Sequence, residues 1–411
     1  MNLDDQFDRI ERGEFMAKVT IERNYITYGN ALVDLITGGG AGHIGGVVNL
    51  IGDSGSGKTI LATEVLYQSL KKFKDKCHPR YLDKESSYSF DTQRMYGFDM
   101  SSYFVNGVHS IEDFSADLGA FCRRIPNGHM GIYIVDSWDS LASDEELEEY
   151  EKRIDAHEKE NDFEKKGSYG AGRAKYSSEF FRNVIKTLEE SNVILIIISQ
   201  IRDNLNAGPF GKKFYIAGGK ALKFYSSQRL FLKTKEEYKK EDRLIGYTVE
   251  LEAIKSRCRY PLRKVYLDML TEFGVDDVGT NIDYLFDLRN DWGKLKDAAV
   301  INNIKWKDDS VEVNSNSLKE FIASNEKEEA MENWLQESGN NRKSQKNLLG
   351  FIKADPELSS IYVDHFGIID RESLIQYIVQ NNMEDEIAER AAKKWLEVEE
   401  RIRPVRKTKG L

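Results

Sequence analysis

A chain of 411 residues is too long for one simple core, and 40% apolar and 31% charged residues with six prolines exclude a fibrous or wholly disordered protein. No apolar run approaches the roughly 20 residues that span a bilayer, so no membrane partner is expected. A net charge of -10 argues only weakly against nucleic acid, because screening over about 8 Å makes local charge decisive.

That local charge is uneven. Residues 143 to 166, "SDEELEEYEKRIDAHEKENDFEKK", are strongly acidic and fit a disordered insertion, whereas residues 200 to 264 are rich in Lys and Arg. The start, "MNLDDQFDRIERGEF", is acidic without an apolar signal region, so a cytoplasmic location is expected. Cys77, Cys122 and Cys258 are scattered and read as free thiols.

In chain order, "VVNLI" (47 to 51) is a strand that runs into a glycine-rich turn, and "KTILATEVLYQSLKKF" after it is apolar at helical spacing. The runs "RYLD", "SYFV", "GIYIVD" and "NVILIIIS" then alternate with helical segments at 111 to 124 and 174 to 190. Such alternation predicts a mainly parallel sheet with helices on both faces. After residue 220, "RLFLKT", "YTVELEAIKSR" and "RKVYLDM" predict adjoining hairpin strands that extend the sheet. Beyond about 280 the chain turns helical and polar; "VNSNSL" reads as a loop with a helix cap and 335 to 347 as a linker. The expected domains are 1 to 30, a small N-terminal segment; 31 to 280, the α/β core; and 281 to 411, rich in α-helix.

"GDSGSGKT" fits G-x-x-x-x-G-K-S/T between a strand and a helix. Gly52, Asp53, Ser54, Gly55, Ser56 and Gly57 would turn backbone N–H groups around phosphate oxygens, Lys58 would supply a point charge, and the Thr59 hydroxyl suits Mg²⁺. Asp136 ends an apolar strand and suits Mg²⁺ through its water shell. Asp83 and Glu85, two apart, point to one face, and either could orient an attacking water.

With these motifs in hand, the order and spacing over roughly residues 25 to 310 resemble the RecA recombinase family. The lead-in "ITYGNALVDLITGGGAGHIGGVVNLIGDSGSGKT", the segment "YLDKESSYSFDTQRMYGFD", the strand "IVDSWDSL" and above all "GGKALKFYSSQRL" carry the likeness. The resemblance implies a RecA-type P-loop ATPase core with a small N-terminal segment and a helical C-terminal region. It assigns Glu85 to water activation, and places Gln200 beside the γ-phosphate of ATP, bound with Mg²⁺.

The loop from Ile201 to Ala217 would then be the second DNA-binding loop. Its chemistry agrees: Arg202, Lys212 and Lys213 can neutralise phosphates, Phe210 can wedge against bases, and Gly211, Gly218 and Gly219 give the backbone freedom to approach. A basic surface loop without a ligand is the bland alternative. "GSYGAGR", ending at Arg173, is the candidate first loop. Lys255 and Arg257 match cations that reach the neighbouring subunit's ATP.

The implied activity is DNA-dependent ATP hydrolysis by a helical homo-oligomer on single-stranded DNA, pairing it with homologous duplex DNA. Single-strand-binding protein and loading mediators are the implied accessory partners. A hexameric helicase or other ring motor, and a mediator that binds without turnover, remain as alternatives. Three departures stand out: Thr92 where an adenine-stacking tyrosine is usual, with Tyr88 or Phe90 as substitutes; Trp138 where a smaller residue is usual; and the basic end "RIRPVRKTKGL". With the long acidic insertion they suggest a divergent member, such as a phage-encoded recombinase. Lys343, Lys346, Lys353, Arg401, Arg403, Arg406, Lys407 and Lys409 could gather duplex DNA, or form solvated faces. Trp292, Trp306, Trp334 and Trp395 are expected to be core anchors.

Overall fold

The computed structural model describes residues 25–158, 170–203, 214–216, 219–240, 242–256, 262–286, 288, 304–307, 310–324, 350, 352–353, 355–368 and 370–402. The chain divides into two compact units, Met1–Asp277 and Val278–Leu411.

The first unit opens with β1 (Tyr25–Ile26), α1 (Ala31–Thr37) and β2 (Ala41–His43), and β1 pairs antiparallel with β2. The main sheet follows: β3 (Val47–Gly52), α2 (Lys58–Phe73), β4 (Cys77–Asp83), α3 (Thr92–Tyr96), α4 (Ile111–Arg124) and β5 (Met130–Asp136). Next come α5 (Asp144–Glu158), α6 (Gly170–Glu190), β6 (Val193–Asp203), β7 (Phe214–Ile216), α7 (Gly219–Tyr225) and β8 (Gln228–Lys240). β9 (Arg243–Ser256), β10 (Lys264–Leu270) and β11 (Gly274–Asp276) complete the unit.

Strand order is β11-β10-β9-β8-β3-β6-β5-β4, with β7 pairing β6. β3, β4, β5, β6 and β8 run parallel, β7 pairs antiparallel with β6, and β9 to β11 are added antiparallel, as the closely spaced apolar runs after residue 220 predict. β3 and the Val193–Ser199 part of β6 are buried, which is why their sequences are apolar without alternation apart from Asn49 and Ser199. One face is sealed by Phe114, Leu118 and Phe121 of α4 with Phe180, Phe181 and Leu188 of α6, packed on Tyr133, Val135, Leu195 and Ile197. Cys77 and Cys122 are buried free thiols.

Several expectations change. "SYFV" is no strand: Met100–Tyr103 form a 3₁₀ turn, and Phe104 makes one isolated bridge to Tyr81. β6 runs on to Asp203, and Ile201–Asp203 pair with Phe214–Ile216, so both ends of the expected loop are strand. Gly170 to Arg173 lie in the first turn of α6, making that part of the candidate first loop helical.

The acidic stretch is helical over Asp144–Glu158. A reciprocal cap starts it: Glu146 N donates to Ser143 Oγ at 3.3 Å, and Ser143 N to Glu146 Oε2 at 2.9 Å. Pairs Glu148–Lys152 and Glu149–Arg153, both at 3.3 Å, follow at helical spacing. Local capping and pairing thus hold a helix that buries none of its own residues.

α8 (Asp277–Leu285) begins at the last residue of the first unit, and the second unit holds the rest of it with α9 (Ser315–Ser324), α10 (Pro356–Phe366), α11 (Arg371–Gln380) and α12 (Glu384–Ile402). Asn314 Oδ1 accepts from Asn316 N and Ser317 N at 2.9 and 3.1 Å, the cap expected in "VNSNSL". Ile282, Leu318, Tyr362, Leu374 and Ile387 form its core, and Trp306 packs against it while Trp395 is buried. Lys353 does not face solvent. It is buried, and its Nζ lies 2.7 Å from Asp370, because an ammonium out of water needs a carboxylate. Residues 1–24, Cys258, Trp292, Trp334, Lys343, Lys346, the 335–347 linker and the cationic end from Arg403 lie outside the described residues; Arg401 is exposed. No helix among the described residues is long and apolar enough to cross a membrane.

Asp34, in α1, is buried and accepts from Thr27 Oγ1 at 2.5 Å and Tyr28 N at 2.8 Å. Burial raises its pKa from 3.8 to about 7, against the bonds from Thr27 and Tyr28 and the charge of Lys72. The unfolded chain therefore releases this proton first, so stability falls as pH rises from 3.8 to about 7. Denaturant titrations of wild type and Asp34→Asn across pH should show the variant gaining on wild type over that window. The two should run parallel above it.

Candidate functional site

The site lies where the strand order turns at β3, flanked by β6 and β8, at the carboxyl ends of the parallel strands. Strand β3 ends at Gly52, where a Cβ would lie 2.3 Å from Ser56 Oγ and 2.5 Å from Leu232 O. Glycine is thus required for the turn to pass close to β8. Gly57 precedes α2 with φ 84, a left-handed conformation that leaves the first helical N–H groups directed at the loop.

Lys58 is 6% exposed, and its Nζ donates to Asp53 O at 2.5 Å and lies 3.4 Å from Ser56 Oγ. Burial lowers its pKa, while Asp136, Glu85, Asp53 and Asp139 pull it back toward the ordinary value. Asp53, Ser54 and Gly55 are exposed at the tip of the turn, and Ser56 is buried. Thr59 Oγ1 donates to Asp136 Oδ2 at 2.8 Å, and Tyr81 OH reaches the same oxygen at 2.8 Å. Burial raises the Asp136 pKa; the Thr59 and Tyr81 bonds oppose that, and Glu85 and Asp83 add to it. A hydroxyl and a carboxylate oxygen in contact beside a buried ammonium are hard donors that suit Mg²⁺ with phosphate, so the residues present fit both groups.

Asp83 and Glu85, equivalent by spacing, differ in the fold. Asp83 accepts Glu85 N at 3.1 Å and Tyr88 N at 3.0 Å, so it shapes its own turn. The Glu85 carboxylate instead accepts a hydrogen bond from Gln200 Nε2 through Oε1 at 2.7 Å, across 115 residues of sequence. Loop-side and sheet-side groups meet there.

Other candidates fall less simply. Lys255 Nζ donates to Lys223 O at 2.7 Å and Phe224 O at 2.6 Å, so its ammonium sits on the last turn of α7. Thr92 is buried and accepts Met100 N at 3.1 Å, a structural task. Tyr88 is wedged edge-on against Tyr81, Phe90 and Phe104 with its OH 3.0 Å from Thr63 Oγ1, so its ring is committed to packing. Arg202 is exposed on the β6–β7 hairpin, and Gly219 starts α7 with φ 63. Arg173 lies in α6; Phe210, Gly211, Lys212, Lys213, Gly218 and Arg257 lie outside the described residues.

Two residues escape sequence reasoning. Tyr81, inside an apolar strand, reads as core until its hydroxyl is seen on Asp136. Asp139, three positions after Asp136 in "DSWDS", accepts Gln200 N through Oδ2 at 2.7 Å. A second acid so close to the first was the available signal. Between them, Trp138 is fully buried with ring centroids 5.3 to 5.9 Å from Phe181, Phe180 and Phe114. Its size is accommodated by those rings, and it pins the turn that carries both acids.

Phosphate loop, switch point and strand-end carboxylates define a phosphate-loop α/β protein. Residues 6–276 match the RecA N-terminal domain, and the chain belongs to that family, which is one of recombinase-type, ATP- and DNA-binding proteins. "Protein RecA" of Chlorobium chlorochromatii (strain CaD3) is 26% identical over 301 residues, covering 72% of this chain and 77% of its own length. "Protein RecA" of Gluconobacter oxydans (strain 621H) is 26% identical over 263 residues, 64% of this chain and 70% of its own. For that of Bifidobacterium breve the values are 28% over 262 residues, 63% and 60%.

Removing the indole should loosen the whole turn. Trp138→Ala is expected to lower unfolding free energy by about 3–5 kcal/mol, as for other large-to-small core changes, measured by denaturant titration.

Proposed function

We propose that this protein is an ATP-dependent DNA strand-exchange enzyme that polymerises on single-stranded DNA, as a helical filament, and pairs that DNA with a homologous duplex. The observation that supports this reading most is the Gln200–Glu85 hydrogen bond, because it ties the base of the reaction to the strand that feeds the β6–β7 hairpin. A signal between nucleotide and DNA has a short covalent route.

In this reading Glu85 accepts a proton from the attacking water, while Lys58 and the loop N–H groups hold the β- and γ-phosphates. Thr59 and Asp136 would hold Mg²⁺, which when bound would supply charge neutralisation on those phosphates. Gln200 exchanges its bond to Glu85 for one to the γ-phosphate, and the hairpin stem transmits the shift to residues 204–213. Arg202 with Lys212 and Lys213 neutralises DNA phosphates, and Phe210, Gly211, Gly218 and Gly219 allow close approach to the strand. Lys255 and Arg257 reach the neighbouring protomer's ATP, for which Lys255 leaves the α7 carbonyls. The domain roles follow: 31 to 280 as ATPase core, 1 to 30 for assembly, 281 to 411 as the α-rich domain. Single-strand-binding protein and loading mediators are its proposed accessory partners.

Phosphate release with and without single-stranded DNA is the decisive assay. Glu85→Gln should cut DNA-stimulated turnover by about 10²–10⁴-fold, the usual value of a positioned base, while retaining ATP binding. Lys58→Ala should abolish turnover with the fold intact. Electron microscopy with ATP and DNA should show open helical filaments; closed rings, or normal turnover in either variant, would overturn the reading.

A further inference from the structure

The amide that the proposed reaction depends on has lost one of its two strand neighbours. On β6, Leu195 N donates to Gly46 O on the β3 side, and N–H directions alternate along a strand, so the Gln200 N–H points to the β5 side. There the ladder has ended: the last β5–β6 partners are Val135 and Ile197, and the chain leaves β5 through Ser137 into the 3₁₀ turn Trp138–Ser140. A backbone N–H inside the protein without an acceptor is costly. The acceptor is the Asp139 carboxylate, with Oδ2 2.7 Å from Gln200 N.

On its other side Gln200 pairs with Gly52, the first glycine of the phosphate loop. One residue later β6 begins its pairing with β7. Gln200 is therefore the joint at which the central sheet hands over to the hairpin, and its side chain bonds Glu85 at that joint. The turn bearing Asp139 cannot drift, because fully buried Trp138 is clasped by Phe114, Phe180 and Phe181.

We propose that Asp139 is a positioning residue: its carboxylate replaces the missing strand as partner of Gln200, holding that backbone in register so the side-chain amide is delivered to one place. This rests on the reading of Gln200 and Glu85 as parts of an ATPase. Its hydrogen bond is to the Gln200 backbone, and it acts on the reaction through that residue, while its charge also supports the Lys58 ammonium. Charge makes its bond stronger than a neutral acceptor would, and an asparagine oxygen keeps the geometry without the charge.

Three full-length variants test this: Asp139→Ala, Asp139→Asn, and Asp139→Ser as a second short side chain should the alanine form not fold. Hydrogen exchange at Ile198–Asp203, without nucleotide, should quicken about 10-fold in the alanine or serine form and stay within about 3-fold of wild type in the asparagine form. DNA-stimulated kcat should fall about 10-fold in the short forms, with the KM for ATP within about 2-fold, and recover largely in Asp139→Asn. Unchanged exchange in the short forms, equal loss in all three, or a KM that rises as far as kcat falls would overturn the proposal. Should the wild-type protein release no phosphate at all, the ATPase reading fails while the exchange result still decides whether Asp139 holds Gln200.

Discussion

The Lys58 ammonium is held out of water at the end of a parallel sheet, and taking a cation out of water demands compensation within a few ångströms. The Asp53 carbonyl supplies part of it by direct contact, and Asp136, Glu85 and Asp139 supply the rest through space. Those three acids need places, and the fold gives them: one at the end of β5, one just past β4, one on the turn after β5. Each then binds a neutral partner, Thr59, Gln200 or the Gln200 backbone, so a single buried charge organises residues that are remote in sequence.

The same charge explains how selective the neighbourhood is about shape. The loop must curl tightly enough for its own carbonyl to meet the ammonium, which fixes glycine at 52 and 57. A cation served by its loop can equally be served by phosphate oxygens, so the geometry is ready for an anion without rearranging the sheet.

Much of this is legible in the sequence because it is written locally. "GDSGSGKT" after an apolar run, alternation of strands with helical segments, and the hairpin strands past residue 220 each follow from neighbours in the chain, and the parallel core with its antiparallel extension stands as read. What is not legible depends on partners brought in from afar. Nothing local separates Asp83 from Glu85; one faces its own turn, the other a residue 115 positions away. "SYFV" is a short apolar run like those of the strands, yet meets β4 at a single bridge. Lys353 reads as a solvated cation until Asp370 is found beside it. The acidic stretch offers little apolar surface to bury, yet a capping box and i,i+4 pairs support a helix through 158.

That helix differs in kind from the rest. Eight of its fifteen residues are Asp or Glu, and Tyr150 and Ile154 stand 62% and 42% exposed on it, so no core contributes to its persistence. Isolated helices of this length are marginal in water. On warming it should therefore unwind ahead of the sheet, giving circular dichroism a shallow early slope before the cooperative transition. A protease should nick the chain there before it cuts the sheet, leaving two fragments that stay associated through the intact β-structure.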